Sequence, residues 1–135
     1  MNCSKNLAAY VLLLLLAGLW ACTGQPSAVT HFTQQSKVDV YFFHTRHKCE
    51  TCDAIKNQTT ESLSTLFGDE VFLGIYNIDQ DGKELAESLG IKTLTLLVVK
   101  DDVRIDLTNE AYLYARSDPD KFRLALEEAI KPLLQ

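Results

Sequence analysis

Apolar positions along this chain recur with two different periods. Residues 38–43, Val38-Asp39-Val40-Tyr41-Phe42-Phe43, are β-branched and aromatic, and their near-continuous apolarity predicts a strand covered on both faces. From Cys49 the period changes: Cys52, Ile55, Thr59, Leu63, Leu66 and Phe67 recur every three or four positions, with Glu50, Asp53, Lys56, Asn57, Thr60 and Glu61 between them. That spacing predicts an amphipathic helix ending before Gly68. Residues 71–78 form a second apolar stretch of strand character, closed by Asp79-Gln80-Asp81-Gly82. Leu85, Ala86 and Leu89 mark a short helix that Gly90 stops, since glycine tolerates the left-handed conformation just past a helix end. Residues 93–99 and 103–107 read as two strands. Their connector, Lys100-Asp101-Asp102, is too short for a crossover and requires an antiparallel hairpin. Asp118 as cap and Pro119 in the first turn start a last helix, with Phe122, Ala125, Leu126, Ala129, Ile130 and Leu133 as its buried stripe. The order βαβαββα predicts an α/β fold, a four-stranded mixed sheet with helices on both faces.

The front of the chain obeys neither period. Lys5 is the one charge before residues 7–21, an apolar run of 15 residues broken only by Gly18. A run of that length falls short of the ~20 residues a membrane-spanning helix needs and predicts the apolar core of a signal peptide. The following Leu19-Trp20-Ala21-Cys22 resembles the bacterial lipobox, in which a small residue precedes a cysteine that is lipidated and becomes the new N-terminus. Trp20 is bulkier than the usual residue at its place. The expected organisation is therefore a lipoprotein signal over residues 1–21, a lipidated tether over 22–36 beginning at Cys22, and one domain over 37–135. Residues 23–36 are polar and weakly patterned, and 14 extended residues reach at most about 50 Å, at ~3.3–3.6 Å each. The resemblance implies a lipid anchor in the cell envelope and a domain facing the periplasm or another extracytoplasmic side.

Composition narrows the function. A chain of 135 residues and 15.1 kDa has room for one such domain, and 47% hydrophobic against 23% charged residues is enough to bury a core. The net charge is -5 and the pI about 5.1, which argues against a nucleic-acid partner held through phosphates. Removing residues 1–21 takes away Lys5 and no acid, so the remaining 114 residues carry 12 basic against 18 acidic side chains, a charge of -6. No polybasic patch would assist the lipid at the membrane. With Cys3 discarded and Cys22 acylated, Cys49 and Cys52 remain as the thiols.

Cys49-Glu50-Thr51-Cys52 lies where the first strand hands over to the first helix. A thiol at a helix N-terminus faces unpaired N–H groups and the positive end of the helix dipole, which favours the thiolate. Arg46, His47 and Lys48 add positive charge just before it and tune its acidity, while Glu50 and Asp53 oppose them. Cys52 shares the stripe of Ile55 and Thr59, so it is expected to point into the core with a raised pKa. The spacing thus makes Cys49 an exposed nucleophile and Cys52 a buried resolver that closes a disulfide with it.

A strand, a Cys-x-x-Cys opening a helix and the βαβαββα order together resemble the thioredoxin superfamily over residues 38–134. Tyr76-Asn77-Ile78-Asp79 resembles the end of the second core strand of thioredoxins, and Leu89-Gly90-Ile91-Lys92 the approach to their substrate loop. Asp39-Val40-Tyr41-Phe42-Phe43-His44 and Asp106-Leu107-Thr108-Asn109-Glu110-Ala111-Tyr112 resemble a small bacterial thioredoxin-like family, some of whose members are labelled nitrophenyl-compound nitroreductase subunits. No flavin or nicotinamide site is visible, so the resemblance implies the fold and the redox pair, with no cofactor. The chain departs from thioredoxins in three places. Lys48 stands where they have tryptophan, and Glu50-Thr51 where they have Gly-Pro. Phe42 and Phe43 occupy the neighbourhood of their buried acid. Thr95 stands where they carry the cis-proline of the substrate loop, so this peptide is expected to be trans, a cis bond before a non-proline residue costing ~2.5–4 kcal/mol. A differently shaped loop implies a dedicated thiol/disulfide partner protein instead of broad reductase activity.

Two other readings of the same residues stand beside the thiol–disulfide oxidoreductase. His44, His47, Cys49 and Cys52 are four ligands within nine positions, suited to zinc or copper(I), although a cysteine on a buried helix stripe and a histidine at a strand end rarely converge on a tetrahedron. The pair is also compatible with a structural disulfide or a non-catalytic thioredoxin-like interaction module. Tyr112 and Tyr114 are expected to pack under the last helix. The Asp79-Gln80-Asp81-Gly82 loop lacks the length and terminal glutamate of a calcium loop, Gly90 standing at the twelfth position. No metal site is expected.

The lipobox resemblance carries the first prediction. Labelled fatty acid is expected to enter the protein in a bacterial host and to vanish in Cys22→Ala. Incorporation that survives the substitution, or release of a soluble wild-type form, would show that the lipid is not attached there.

Overall fold

The computed structural model describes residues 37–45 and 49–135, all within one compact unit. The expectations for residues 1–36, Cys22 among them, and for Arg46, His47 and Lys48 lie outside the described residues.

The strand over Val38–His44, β1, is the centre of the sheet. A helix over Glu50–Leu66, α1, follows it and leads through a 3₁₀ turn at Gly68–Glu70 into β2, Val71–Asn77. A short helix over Lys83–Leu89, α2, precedes the hairpin of β3, Thr95–Lys100, and β4, Val103–Asp106. The chain then forms α3, Thr108–Tyr114, and α4, Pro119–Ile130, and ends in a 3₁₀ turn at Lys131–Leu134. Strand order is β2-β1-β3-β4, with β1 parallel to β2 and antiparallel to β3, and β3 antiparallel to β4. This is the α/β, four-stranded mixed sheet that the apolar pattern predicts. Among the described residues no helix is long and apolar enough to cross a membrane.

Strand alternation sorts the side chains into two layers. Val38, Val40 and Phe42 of β1 pair in register with Val71, Leu73 and Ile75 of β2, while Phe42 and Val40 face Leu96 and Val98 of β3. Onto this face α1 packs Ile55 and Leu63, and α4 packs Phe122, Leu126 and Ile130; Phe122 and Ile130 are wholly buried. The opposite face carries Tyr41, Phe43, Phe72 and Tyr76, whose ring centroids lie 6.0–6.4 Å apart in the four contacts among them. Tyr41 donates its hydroxyl to Asp39 Oδ2 at 3.1 Å. The turn into α2 lies against Tyr76 on this second face.

Helix ends follow local chemistry. Asp118 caps α4 by accepting the N–H of Lys121 at 3.1 Å, and Pro119 occupies the first turn, where its missing N–H has no intrahelical partner to lose. Gly90 ends α2 with φ +74°.

One element departs from the expected order. Helix α3 intervenes before the last helix, so the order is βαβαββαα. It spans seven residues, two turns, and Ala111 is the one buried residue within it, too few apolar positions to show a period. Its start is held by one bond across the fold and one local bond: Thr108 Oγ1 accepts the N–H of Leu96 at 3.0 Å, and Asp106 Oδ1 accepts the N–H of Thr108 at 2.9 Å. The expected burial of Tyr112 fails with it. Tyr112 is 49% exposed, because Ala111 and Ala115 turn the adjacent face of α3 inward. Tyr114 does lie beside α4, with the Lys121 ammonium 4.0 Å over its ring.

Glycine 82 tests the second face. A Cβ there would stand 2.6 Å from Tyr76 Cβ and 3.0 Å from the Asn77 carbonyl oxygen, both fixed to the β2 backbone. Gly90 has open space around it and a strained φ alone. Gly90→Ala is expected to lose roughly 1–2 kcal/mol in urea denaturation, the cost of a left-handed alanine, and Gly82→Ala to lose more. Equal losses would mean that the α2 turn yields freely.

Candidate functional site

Cys49 sits in extended backbone, φ -145° and ψ 119°, as the N-cap of α1. Its sulfur accepts the backbone N–H of Cys52 at 3.3 Å, the role an aspartate or serine oxygen plays at other caps, and its carbonyl accepts the N–H of Asp53 at 3.0 Å. Both cysteines are free thiols. Cys49 is partly exposed; Cys52 packs against the edge of the core cluster. Cys52 is thus partly buried, where its place on the helix stripe predicts a buried thiol. The stripe is fully buried from Ile55 onward and only partly buried in the first turn.

The two sulfurs differ in acidity. A hydrogen bond with the Cys52 side chain, then the backbone N–H groups of Cys52 and Thr51, hold the Cys49 thiol below its ordinary value against the opposing charge of Asp53. Burial first, then donation to Cys49 and the charge on Cys49, push the Cys52 thiol up to about 11. Each shift helps the other: a neutral Cys52 donates its proton toward a charged Cys49.

Other expected residues are placed as follows. Thr95 is buried, opens β3 and pairs with Phe43, at the end of the sheet where β1 leads toward Cys49. Its hydroxyl bonds the Thr93 carbonyl at 3.1 Å, and the peptide before it is trans. Leu94, one residue earlier, packs against the core cluster, as Cys52 does. His44 places Nδ1 3.0 Å from the Thr45 carbonyl oxygen and its ring beside Phe42. Among the described residues no three His, Cys, Asp or Glu side chains gather as metal ligands; His47 lies outside them.

Two residues at the site have no periodic signal in the sequence. Arg116, just past α3, places its guanidinium 3.1 Å from Glu50, the first residue of α1. This pair is exposed and adds little stability, but it joins the chain just past α3 to the first residue of α1. Tyr112 lies within the electrostatic reach of both thiols: after burial, the charges of Cys52 and Cys49 hold its phenol above the ordinary value. Its one trace in the sequence is its position at the end of the stretch from Asp106 that resembles the small thioredoxin-like family.

No protein-family model matches the chain, and neither does any curated protein. Solved structures do. Thioredoxin f2 of Chlamydomonas reinhardtii is 26% identical over 74% of this chain and 84% of that chain, with a TM-score of 0.50. Thioredoxin f2 in its complex with ferredoxin:thioredoxin reductase is 27% identical over 74% of this chain and 80% of that chain, also at 0.50. The thioredoxin of Malassezia sympodialis is 23% identical over 74% and 77%, at 0.49. The structural neighbours are thioredoxins, and the fold with its neighbouring Cys49 and Cys52 is that of a thiol oxidoreductase-like module.

The acidity split makes a measurable difference. In the reduced domain, iodoacetamide is expected to modify Cys49 with a midpoint below 9.0 and Cys52 with one near 11. The signs for folding are opposite. Cys49, depressed on folding, adds stability above the ordinary thiol value that is lost as pH falls through its folded value. Cys52, raised on folding, adds stability that is full below the ordinary value and lost as pH climbs toward 11. Faster modification of Cys52 at neutral pH would reverse the two roles.

Proposed function

We propose that this chain is a membrane-tethered thiol–disulfide oxidoreductase in which Cys49 attacks and Cys52 resolves. The observation that carries the reading is the inequality of the two sulfurs at the start of α1. One is a helix cap held toward the thiolate, and the other is a partly buried thiol held neutral beside it.

The chemistry balances with the two cysteines and one substrate disulfide. The Cys49 thiolate attacks one substrate sulfur; a Cys49–substrate disulfide forms, the substrate S–S bond breaks, and the departing sulfur leaves with the electron pair and takes up a proton. Cys52 then gives up its proton and attacks Cys49, closing the intramolecular disulfide and releasing the second substrate sulfur as a thiol. Two electrons pass from the pair to the substrate, with one proton from Cys52 and one from water, and run backwards the same steps oxidise a dithiol. No cofactor takes part.

A dedicated redox partner protein is favoured by the trans peptide at Thr95, which gives the substrate loop a different course from one built on cis-proline. The similarity to thioredoxin f2, a protein solved in complex with ferredoxin:thioredoxin reductase, supports a protein partner for this chain as well. The lipobox-like residues ending in Cys22 and the polar residues 23–36 support a lipid anchor, which would hold the domain on the extracytoplasmic side of a membrane. Of the small family whose stretches the chain resembles, the proposal takes the redox pair and leaves the nitroreductase label aside.

Trapping tests it. Cys52→Ser removes the resolver, so cells making it are expected to accumulate a reductant-sensitive adduct of higher mass in the membrane fraction, in few bands. Cys49→Ser is expected to abolish the adduct. Many bands would overturn the dedicated partner. No adduct, together with stoichiometric zinc or copper in the purified wild type, would replace the redox reading with metal binding.

A further inference from the structure

Strand β2 forms one border of the sheet, since in the order β2-β1-β3-β4 its one neighbour among the described residues is β1. In an extended strand the N–H and C=O of one residue point to the same side, and those of the next residue to the other. The side toward β1 is fixed at both ends of β2: Lys37 donates its N–H to the Glu70 carbonyl at 3.1 Å, and Ile78 donates its own to the His44 carbonyl at 3.0 Å. Residues 70, 72, 74, 76 and 78 therefore direct their backbone groups toward β1, and Val71, Leu73, Ile75 and Asn77 direct theirs outward. Asn77 is already satisfied, its N–H by Asp81 Oδ1 at 2.9 Å and its carbonyl by the N–H groups of Gln80 and Gly82 at 3.1 and 2.9 Å. Leu73 and Ile75 have no such turn to close on. Their N–H and C=O groups stand along the border as an unpaired row among the described residues.

Sheet borders are ordinarily shielded by charge, proline or shortness. The opposite border, β4, is four residues long and carries Arg104 and Asp106. β2 has seven residues without a charge or a proline. Phe72 is 45% exposed on one of its faces, and Leu73 and Ile75 are half-buried on the other. Charge begins just outside the strand, and it has one sign. Residues 57–82 include no lysine or arginine; exposed Asp69 and Glu70 precede β2, and exposed Asp79 and Asp81 follow it. Lys37 answers Glu70 alone, at 3.6 Å. A second copy of β2 laid alongside would set acid against acid at both ends, whichever way it ran.

We propose that the outer edge of β2 docks an extended segment of a partner protein, about five to seven apolar and β-branched residues flanked at both ends by lysine or arginine. Leu73 and Ile75 supply the main-chain bonds and Phe72 the side-chain contact, while the acids beyond each end select the flanking charge. No thiol takes part, so the site goes beyond the redox reading and stands or falls separately from it.

The test uses the full chain and two synthetic peptides with the same centre of alternating valine and threonine, one flanked by lysines and the other by glutamates. Amide hydrogen exchange followed by NMR is expected to be fast at Leu73 and Ile75 in the free chain and slow at Gly74 and Tyr76, whose N–H groups point to β1. The lysine-flanked peptide is expected to slow Leu73 and Ile75. It is expected to bind roughly tenfold more tightly than the glutamate-flanked one, an advantage that high salt removes. Phe72→Lys places a like charge on the edge and is expected to weaken that binding by roughly tenfold, with Gly74 and Tyr76 still protected as the sign of an intact sheet. Slow exchange at Leu73 and Ile75 in the free chain would overturn the proposal, independence of concentration marking the chain's own residues as the occupant and dependence marking a second copy. Equal affinity for the two peptides, or binding that leaves Leu73 and Ile75 unprotected, would overturn it as well.

Discussion

The sheet is organised by its central strand. β1 pairs along its length with β2 on one side and with β3 over Asp39 to Phe43 on the other, and four of its seven side chains are buried. A strand bonded on both edges and covered on both faces has no freedom to slide, since a slip of one residue would turn Val40 and Phe42 out of the core. The chain leaving its C-terminal end is thereby delivered to one place, where α1 must begin over the face carrying Val38, Val40 and Phe42. Cys49 is a consequence of that delivery. Cys49 itself is in extended backbone, and its sulfur comes to rest on the open N–H of Cys52 in the first turn of the helix.

From this follows the difference between two chemically identical side chains. The helix start supplies donors to Cys49, and three residues later the same helix turns Cys52 toward the core edge. The acids Glu50 and Asp53 in the first turn favour the helix dipole while opposing a thiolate beside it. The ion pair of Glu50 with Arg116 joins the chain just past α3 to the first residue of α1. Burial, capping and charge therefore act on the pair together, and the sulfur held at the lower pKa is the one that caps the helix.

Most of the fold was legible because its elements are long or sharply punctuated. The change of period at Cys49, the stop at Gly90 and the Asp118-Pro119 cap each express a local rule, and each stands where the rule places it. The order of acidity in the pair was legible too, from a helix start and a helix stripe. What the pattern did not carry was contact made across the fold. α3 is two turns long and is held by Thr108 on Leu96, a bond between residues of separate elements. Tyr112 and Arg116 look like ordinary surface residues until α3 is set against α1, and the degree of burial of Cys52 depends on how far the first turn overhangs the sheet. These are properties of packing, and periodicity along one chain does not record them.

At the other end of β1, Lys37 donates its backbone N–H to the Glu70 carbonyl at 3.1 Å, with its ammonium 3.6 Å from the Glu70 carboxylate. From there β1 runs for seven residues, about 20 Å at ~3.3 Å per residue, toward the end of the sheet from which the chain goes on to Cys49. Tension applied through residue 37 would run along β1 and load the ladders with β2 and β3 in shear, all bonds together instead of one after another. Residue 37 and the end of the sheet toward Cys49 are separated by both of these ladders.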